Sequence, residues 1–556
     1  MEQTISFNPA TKEEIARYHK NSYKEVLDAI IRAKASSKLW QQIPINKRKK
    51  SILKIRKYLV NNYLEVAETI SADNGKVLTD AYVAEVLPAI MAVGFYTKYC
   101  KKWLKPHIIP GNSMLTFNKC SKVHYQPYGV IGIISPWNYP FSIPFSEVVM
   151  ALLAGNGVIL KCSRDTLVVG HLLEKVIQQA DLPDGLFSLI NIGGSEAVDA
   201  FIEGGIDKIF FTGSVPTGIE IQKKCSDRLI PTVLELGGND PAIVCNDADL
   251  GKAAWGIIWA GFQNSGQSCG GAQRIIVDQQ VYDKFCSILN EKVSGLRPGK
   301  NVTDDSFEDG EIGFMTNSKQ KETVINQVIK SLELGAILNS ISPLPEELRV
   351  KLFKDQKEEE YMEKVTSSKE DSINFLQSLL KEETNFLPAM VLTEINQQMP
   401  IFCEEVFGPA IGIISFDYIE QAIDMANDSR FGLTGSVWSQ NIKLANQIAK
   451  KLECGVIMIN DHLMSHGLAN TPWGGYKYSG IGRTHGKAGF MEMTRQKVII
   501  KDKLTFAKKQ LWWHPYNQKV WGGLVGAMEF LYSKNIKDKF SGFCKLFKII
   551  SRFFEK

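Results

Sequence analysis

The chain has 556 residues, of which 44% are hydrophobic and 22% charged, a composition typical of a soluble globular protein of two or three domains. The polar N-terminus has no apolar signal segment, and no run of about 18 uninterrupted apolar residues predicts a membrane-spanning helix. None of the ten cysteines falls in a Cys-x-x-Cys pair, which favours a reducing, cytoplasmic location over a disulfide framework or a zinc site.

The net charge of +5 is unevenly distributed along the chain. Residues 503–556 carry 11 Lys and Arg residues against 3 Asp and Glu residues, whereas the other 502 residues carry 54 and 57. The body of the protein is therefore slightly acidic, and we do not expect it to bind nucleic acid. The basic character belongs to the C-terminal tail.

Hydrophobic periodicity predicts the elements in chain order. Residues 23–73 have a helical pattern, an apolar strand-like segment follows at 123–134, and a second alternating region spans about 270–460. Between them we predict strands at 157–160, 208–212, 233–236 and 242–245, and helices at 165–180 and 217–225. This alternation predicts an α/β fold with a largely parallel, buried sheet.

One segment interrupts this pattern. Residues 346–383 contain 18 charged residues, which is typical of a solvated helical insertion or a mobile loop.

Two stretches place polar side chains after predicted strands. In SPWNYP (135–140), Asn138 lies at a turn, where its amide could donate a hydrogen bond into a cleft or only stabilise the turn. In GNGVILK (155–161), Lys161 ends a strand at the sheet edge where ligands of α/β proteins collect, although a surface lysine is the commoner case.

Two further stretches suggest a phosphate site and a base. FTGSVPTG (211–218) leads through Gly213 and Ser214 into a helix start, whose free N–H groups suit a phosphate. LELGGNDP (234–241) sets Glu235 in an apolar run. Burial there would raise the carboxyl pKa and make Glu235 a base near neutral pH, unless it pairs with Lys or Arg.

The last two stretches contain a cysteine and a carboxylate–aromatic pair. FQNSGQSCGGAQR (262–274) surrounds Cys269 with small and amide residues, whereas a structural thiol usually has apolar neighbours. EEVFGP (404–409) places Glu405 and Phe407 on the same side of an extended segment.

In this order, the six stretches resemble the aldehyde dehydrogenase superfamily. The resemblance runs through residues 7–500, from NPAT (8–11) to PWGGYKYSG (472–480), and includes a 34-residue step from Glu235 to Cys269. It implies a Rossmann-like cofactor domain, an α/β catalytic domain and a small β flap for oligomerisation. The implied bounds are 1–108 and 126–234 for the cofactor domain, 235–455 for the catalytic domain with an insertion at about 343–385, 109–125 and 484–500 for the flap, and 503–556 for the tail.

The resemblance also implies a reaction, the oxidation of an aldehyde to an acid with reduction of NAD or NADP. Cys269 would be the nucleophile, forming a thiohemiacetal and then a thioester. Asn138 and the backbone N–H of Cys269 would stabilise the oxyanion, and Glu235 would activate a water. The implied cofactor-binding residues are Trp137, Lys161, Arg164, Gly213, Ser214, Gly218, Glu405 and Phe407.

Arg164 departs from the family pattern. Many NAD-preferring members have a Glu three residues after the lysine that matches Lys161. An arginine here removes a carboxylate that would repel a 2′-phosphate and adds a cation, which favours NADP or use of both cofactors. The alternative is that Arg164 points to solvent.

Apolar residues near Asn138 predict the substrate class. Tyr139, Phe141, Ile143 and Trp473 are expected to line a tunnel for a hydrophobic or long-chain aldehyde. A semialdehyde or other small aldehyde is the alternative, with Arg274 as the candidate partner of a substrate carboxylate. A cofactor-free thiol esterase and a non-catalytic scaffold are further alternatives, and the resemblance implies a homodimer or homotetramer.

His462 and His466 have the spacing of a metal-binding pair on a helix. No HExxH glutamate accompanies them, so we predict no metal and expect this loop to shape the substrate mouth with Trp473.

The tail contains twelve aromatic residues. In its last stretch, apolar side chains recur at three- or four-residue steps with basic residues between them, which is typical of an amphipathic helix lying on a membrane surface. The alternative is a helix docked by its aromatic face on the body or on a second subunit. An extension of this kind resembles that of fatty aldehyde dehydrogenases only in general character. The apolar set is Phe540, Phe543, Phe547, Ile550 and Phe554, and the basic set is Lys537, Lys545, Lys548 and Arg552.

Overall fold

The computed structural model describes residues 2–113, 115–299, 310–354 and 356–555. Its strands are β1 (Gln3–Phe7), β2 (Glu14–His19), β3 (His107–Pro110), β4 (Lys119–Pro127), β5 (Val130–Ile134), β6 (Gly157–Lys161), β7 (Phe187–Ile190), β8 (Lys208–Thr212), β9 (Thr232–Glu235), β10 (Asp240–Val244), β11 (Ala272–Asp278), β12 (Ile337–Ile341), β13 (Met390–Thr393), β14 (Ala410–Phe416), β15 (Thr434–Trp438), β16 (Val456–Ile459), β17 (Gly480–Ile481) and β18 (Thr494–Asp502).

The α-helices follow the same chain order. They are α1 (Tyr23–Gln42), α2 (Ile45–Asn61), α3 (Tyr63–Asn74), α4 (Leu78–Ala81), α5 (Leu87–Trp103), α6 (Ser142–Ala154), α7 (Leu167–Gln178), α8 (Gly194–Glu203), α9 (Val215–Ser226), α10 (Leu250–Phe262), α11 (Tyr282–Ser294), α12 (Ser318–Glu333), α13 (Glu346–Phe353), α14 (Glu358–Ser367), α15 (Lys369–Lys381), α16 (Pro400–Cys403), α17 (Ile419–Asn427), α18 (Ile442–Ala449), α19 (Gly486–Glu492), α20 (Gln518–Tyr532) and α21 (Ile536–Ile549).

The chain divides into two compact units. Unit 1 comprises 1–103 and 127–494, and unit 2 comprises 104–126 and 495–556. Unit 1 therefore holds both regions that the sequence predicts as cofactor and catalytic domains. The segment predicted as flap at 484–500 is divided, because α19 belongs to unit 1 and nearly all of β18 belongs to unit 2.

A six-stranded sheet in unit 1 has the order β17-β9-β8-β5-β6-β7. Its strands are parallel except that β17 runs antiparallel to β9. All residues of β5 are buried, as expected for a parallel strand covered by helices on both faces. The register aligns the carboxyl ends of β5, β8 and β9, so the residues that follow these strands lie at one edge of the sheet.

A seven-stranded sheet in unit 1 has the order β12-β13-β14-β11-β10-β15-β16. Only the β12–β13 pair is antiparallel. Strand β11 begins three residues after Cys269, and β14 begins three residues after Phe407, so this sheet positions the second group of predicted site residues. Together the two sheets give the α/β fold that the sequence predicts.

The charged insertion is helical. It forms α13, α14 and α15, and its apolar side chains join the core of the seven-stranded sheet. The mobile-loop alternative is therefore wrong for the described part of the insertion, which excludes Asp355. Its charged residues face solvent while helically spaced apolar residues pack inward, namely Leu348, Tyr361, Val365, Phe375, Leu376 and Leu379.

One helical run among the described residues, Leu78–Trp103, is long and apolar enough to cross a membrane by length and composition alone. It consists of α4, a π-helical turn at Tyr82–Val86 and α5. The carboxylate of Glu85 within this run is fully buried and paired with Lys76. This buried ion pair joins the run to the segment that follows α3, within unit 1.

Unit 2 contains a three-stranded sheet of order β18-β4-β3 and the two tail helices. Helices α20 and α21 pack against each other, and a short 3₁₀ helix, Ile550–Phe554, continues α21. Their shared core is small and apolar, formed by Leu511, Val520, Ala527, Leu546, Ile549 and Phe553.

Candidate active site

A left-handed turn carries Cys269. After α10 the chain adopts positive φ at Asn264 (56°), Ser265 (53°) and Gly266 (68°). Such angles are costly for side chains other than glycine and recur at functional sites. The backbone N–H of Asn264 donates to Asp80 Oδ2 at 2.8 Å, and its side-chain amide donates to the Asn138 carbonyl at 2.9 Å. The turn is therefore fixed by groups from two other segments.

Close packing explains the small residues around Cys269. A Cβ on Gly266 would lie 2.2 Å from the Gly408 carbonyl oxygen, and one on Gly270 would lie 2.8 Å from the Trp473 ring. Both distances are shorter than side-chain contacts allow. Because both positions are glycines, the Gly408–Pro409 segment and Trp473 can lie close to the residues around Cys269.

Asn138 lies four residues after the end of β5, is buried, and lines the same cavity as Cys269. Its Nδ2 donates to the Gln267 carbonyl at 2.9 Å, which leaves the second N–H of the amide free to donate to another acceptor. The backbone carbonyl of Asn138 accepts from Lys76 Nζ at 2.9 Å. One hydrogen bond therefore holds the side-chain amide of Asn138 and another holds its backbone.

Lys76 and Glu85 form a fully buried ion pair beneath this turn, with 2.5 Å between Nζ and Oε1. The other oxygen, Glu85 Oε2, accepts the backbone N–H groups of Phe141 at 2.7 Å and Ser142 at 3.0 Å. The pair connects α3–α5 to the start of α6 and fixes Asn138 between them. Sequence reasoning did not identify these two residues.

Glu235 ends β9, opposite Gly480 of β17. Neither carboxyl oxygen makes a hydrogen bond of normal geometry to a described residue. Burial raises the pKa of Glu235 well above 4.5, and Glu147 raises it further, while Arg483 and Thr484 oppose the shift. Burial also raises the pKa of Glu147, to about 8. Two carboxyl groups thus share this buried region.

The three predicted catalytic residues meet in one cavity of about 250 Å³. Burial raises the pKa of the Cys269 thiol, and the nearby carboxyl groups of Asp240, Glu405 and Glu235 raise it further. The cavity is lined by Pro136, Trp137, Asn138, Thr212, Gly213, Ser214, Glu235, Leu236, Gly237, Cys269, Gln320, Thr323, Glu405 and Phe407.

Gln320 and Thr323 are lining residues that sequence reasoning missed. Both lie in α12, and Gln320 Nε2 donates to the carbonyls of Val406 and Phe407 at 3.2 Å each. No sequence signal could have found them, because they are polar residues on an amphipathic helix like many others.

The other walls of the cavity fit a dinucleotide. Ser214 is the N-cap of α9, whose first turn has no side-chain cap, so its N–H groups are oriented to meet a phosphate. Glu405 Oε1 accepts the Gly238 N–H at 2.9 Å, and burial raises the pKa of Glu405 to about 7. Trp137 meets Phe407 edge to face at 5.4 Å. A carboxyl group and two aromatic rings that line the same cavity suit a ribose and a flat heterocycle.

Three predicted cofactor residues lie outside this cavity. Lys161 ends β6 and is partly buried, which lowers the pKa of its ammonium. Gly218 lies within α9, where a Cβ would be 2.6 Å from Leu236 Cδ2, so a glycine here lets α9 pack closely against the residue that follows β9, and its cofactor role stays a prediction. The Arg164 side chain is 83% exposed, 3.5 Å from Asp165 Oδ1, and lines a separate cavity of about 510 Å³ with Asn191 and other polar residues.

A narrow second cavity, of about 20 Å³, also borders Cys269. It contains two of the predicted tunnel residues, Ile143 and Trp473. It shares four residues with the main cavity, Thr212, Glu235, Leu236 and Cys269. Its remaining lining residues are Glu147, His466, Thr484 and His485.

The other two tunnel residues differ in position. The Tyr139 hydroxyl donates to Gln263 Oε1 at 2.7 Å, and its ring lies 5.4 Å from His466, close to the narrow cavity. Phe141 is fully buried and stacks on Phe145 at 5.2 Å. Phe141 lines neither cavity at Cys269, because the chain turns into α6 here and the side chain is buried, so its role in a substrate tunnel stays a prediction.

Arg274 and His462 have structural partners. The Arg274 guanidinium donates to the backbone carbonyls of Asn239, Met425 and Ala426 at 2.8–2.9 Å, so it is not free to bind a substrate carboxylate. His462 Nδ1 lies 2.8 Å from Ser436 Oγ, and burial lowers its pKa to about 4. His466 instead contacts the Trp473 ring edge to face at 5.2 Å.

Comparison with known proteins agrees with this geometry. The sequence model of a protein family described as "Aldehyde dehydrogenase family" matches residues 2–342 and 342–499. A 4,4'-diapolycopene aldehyde oxidase from Methylomonas sp is 30% identical over 506 residues, covering 91% of this chain and 87% of that protein. The NAD(P)+ succinate semialdehyde dehydrogenase Sad of Escherichia coli (strain K12) is 29% identical over 500 residues, covering 90% and 98%.

Solved structures agree as well. The NAD+ complex of an aldehyde dehydrogenase from Bacillus cereus superposes with a TM-score of 0.79 at 27% identity, covering 90% of this chain and 93% of that one. The family model ends at residue 499, so the tail lies outside it. The match over the whole catalytic body confirms the resemblance seen in the sequence, and the chain belongs to the aldehyde dehydrogenase family of NAD(P)-dependent oxidoreductases.

Proposed function

We propose that this enzyme oxidises a hydrophobic, long-chain aldehyde to the carboxylic acid through a covalent intermediate on Cys269. The meeting of Cys269, Asn138 and Glu235 in one cavity supports this mechanism. The Cys269 thiolate attacks the aldehyde carbon and forms a C–S bond, while the carbonyl oxygen becomes an oxyanion. The free N–H of the Asn138 amide and the backbone N–H of Cys269 stabilise that charge.

The second half of the reaction uses Glu235 as a base. A bound nicotinamide would supply the hydride acceptor for the substrate carbon, so that a thioester remains on Cys269. Glu235 then removes a proton from a water, and the water oxygen attacks the thioester carbon. The C–S bond breaks, the acid leaves, Cys269 returns as the thiolate and Glu235 releases its proton to solvent. A raised pKa suits Glu235 for this task, because a stronger base takes a proton from water more readily.

The lack of a free cation among the described residues near Cys269 supports a hydrophobic aldehyde. The described residues that line the narrow cavity include two glutamates but no Lys or Arg, which disfavours a substrate carboxylate. Ile143 and Trp473 add apolar surface, and Arg274 is committed to backbone carbonyls. The Methylomonas relative is named for an aldehyde of 4,4'-diapolycopene. A semialdehyde is the second candidate, because the Escherichia coli relative is named for succinate semialdehyde.

A substrate panel tests the function. We expect kcat/KM to rise along a series of straight-chain aldehydes of increasing length and to be low for succinate semialdehyde, measured as NAD(P)H formation. A preference for succinate semialdehyde would contradict the proposal. Hydrolysis of a thiol-reactive ester without cofactor, in the absence of any aldehyde oxidation, would instead indicate the esterase.

We also propose that the enzyme uses NADP as well as NAD. Arg164 is exposed and lines a polar cavity, where its guanidinium has room to meet a 2′-phosphate. We expect kcat/KM with NADP to be comparable to that with NAD, and Arg164→Gln to lower only the value for NADP. A strong preference of the wild type for NAD would exclude this role.

Glu147 is proposed to hinder the ionisation of Glu235 at alkaline pH. An ionised Glu147 raises the pKa of Glu235, and burial keeps Glu147 protonated below about pH 8, so this repulsion acts only above that pH. We expect Glu147→Gln to raise kcat relative to the wild type above about pH 8 and to leave the acid limb of the pH profile in place. The exposed Glu68→Gln is the matched control and should leave the profile in place. Equal loss of activity at every pH would show that Glu147 is only structural.

Protein stability provides a second measurement for the same residue. The pKa of Glu147 rises from 4.5 to about 8 in the folded protein, so between these values the folded state keeps a proton that the unfolded chain has lost. The wild type is therefore expected to lose stability as pH rises through this window. Glu147→Gln removes that loss, which should appear as a smaller decrease of Tm with pH.

We propose a cytoplasmic homo-oligomer. The ten cysteines form no disulfide, which is typical of a reducing compartment. Strand β18 is an edge strand with exposed Val498, Ile499 and Ile500, a surface that a second copy of this chain would cover. Light scattering should give a mass of at least a dimer, and Ile499→Lys should reduce it.

A further inference from the structure

The tail helices form a hairpin through very close backbone contact. A Cβ on Gly526 would lie 2.4 Å from Lys545 Cβ, and one on Gly542 would lie 2.5 Å from the Gly526 carbonyl oxygen. The helices therefore interlock through glycines and bury one face of each. The opposite faces are left to interact with something else.

An apolar surface remains exposed on α21 and the 3₁₀ helix after it. Its side chains recur every three or four residues and so lie on one face. On α20, Trp521, Met528 and Tyr532 are also 58–75% exposed. We call the α21 set the aromatic stripe; its members are 42–81% exposed, and they are Ile536, Phe540, Phe543, Phe547, Ile550 and Phe554.

The other described residues of unit 2 leave the aromatic stripe exposed. A continuous apolar surface of this kind marks a site for a membrane or another protein.

The charges beside the aromatic stripe are positive. At 3.6 residues per turn, Lys537 and Lys548 fall on one side of the stripe and Lys539 on the other, and none of the three forms an ion pair with a described residue. Glu529 is paired with Lys545 and Glu555 with Lys519. The acidic groups of the tail are thus largely neutralised, while the lysines flanking the stripe are not.

These charges favour lipid over a second copy of the chain. Two copies of the aromatic stripe packed face to face would bring their lysines together, and like charges repel. An anionic bilayer surface offers phosphates to the lysines and hydrocarbon to the aromatic rings, which is how amphipathic helices bind membranes.

A cavity next to the aromatic stripe is apolar like the stripe itself. Its volume is about 270 Å³, every lining side chain is apolar, and Ile550 and Phe554 belong to both the cavity and the stripe. The remaining lining residues are Leu115, Phe117, Leu504, Phe506, Leu511, Leu546 and Phe553.

We propose that the tail hairpin is a binding site for anionic lipid. The aromatic stripe lies in the interfacial layer of the bilayer, Lys537, Lys539 and Lys548 contact lipid phosphates, and the apolar cavity receives one acyl chain. This site is separate from the aldehyde-oxidising cavity, so its existence does not depend on the proposed substrate.

Vesicle sedimentation of the full-length protein tests the surface. The wild type is expected to pellet with vesicles that contain phosphatidylglycerol and much less with pure phosphatidylcholine. Replacing Lys537, Lys539 and Lys548 by Gln should weaken binding by about 100-fold, at about 1 kcal/mol per lysine. The matched control carries the same three changes on α2, at the exposed positions Lys47, Lys50 and Lys57, and should bind as the wild type does.

The apolar contribution is tested with Phe540→Ser/Phe547→Ser, which changes only exposed positions. This variant should no longer pellet, whereas Leu229→Ser/Tyr418→Ser, which changes exposed apolar residues elsewhere, should pellet normally. Equal pelleting of all variants would overturn the proposal. So would loss of oligomer mass by Phe540→Ser/Phe547→Ser without loss of lipid binding, since the stripe would then be a contact between copies.

The cavity is tested with soluble probes by calorimetry. Dodecyl phosphate below its micellar concentration should bind the wild type and inorganic phosphate should not; binding of both or of neither would remove the acyl-chain site. Oxidation of a water-soluble aldehyde should be unchanged in every tail variant, which separates failure of this proposal from failure of the proposed function.

Discussion

Glu235→Gln is expected to form one equivalent of NAD(P)H per active site and then stall. Its thioester would form, because Cys269 and Asn138 are intact, but no carboxylate would activate the water that releases the acid. General-base catalysis contributes about 100- to 10,000-fold, so steady-state kcat should fall by about that factor. Stopped-flow absorbance separates the first turnover from the slow phase.

Two cysteine variants calibrate this experiment. Cys269→Ala should abolish both the first turnover and the steady state, because no covalent intermediate can form. Cys544→Ala removes an exposed thiol of the tail and should leave both phases unchanged. A steady-state rate of Glu235→Gln close to that of the wild type would show that another group activates the water.

Lys76→Met is expected to have the largest effect on stability. It leaves Glu85 as a fully buried carboxylate without its ion-pair partner. Breaking a buried ion pair in this way lowers the free energy of unfolding by about 3–5 kcal/mol. It also removes the hydrogen bond to the Asn138 carbonyl, so kcat should fall in the protein that still folds. Urea unfolding followed by fluorescence measures the free energy of unfolding.

The matched control is an ion pair on the surface. Lys175 and Glu65 lie 2.8 Å apart, each about half exposed, and Lys175→Met should cost less than about 1 kcal/mol. The double variant Lys76→Met/Glu85→Met should recover part of the lost stability, because no buried charge remains. A double variant as unstable as the single one would mean that packing, rather than charge, determines the loss.

The sequence predicts well what depends on local pattern. The short apolar runs in the sequence predicted the bounds of β6, β8, β9 and β10 to within two residues, because a buried parallel strand is a continuous apolar segment. The same pattern, together with the family resemblance, placed Asn138, Glu235 and Cys269 in one cavity.

Contacts between distant segments were not predictable. Nothing in the sequence near Lys76 indicates that Glu85 will neutralise it or that Asn138 lies above it. Phe141 was assigned to the tunnel because it is apolar and close to Asn138 in sequence, but the direction of a side chain at a helix start depends on the packing of that helix. The charged insertion was judged by its charge count, which hides the inward-facing apolar residues.

The two cavities that meet at Cys269 have a consequence for the order of exchange at the active site. They share Cys269, Thr212, Glu235 and Leu236, and their other lining residues differ. With the dinucleotide in the larger cavity and the aldehyde in the narrow one, as proposed, an aldehyde is expected to enter and an acid to depart while the dinucleotide stays in place. Product inhibition by the acid should accordingly be competitive toward the aldehyde and not toward the dinucleotide.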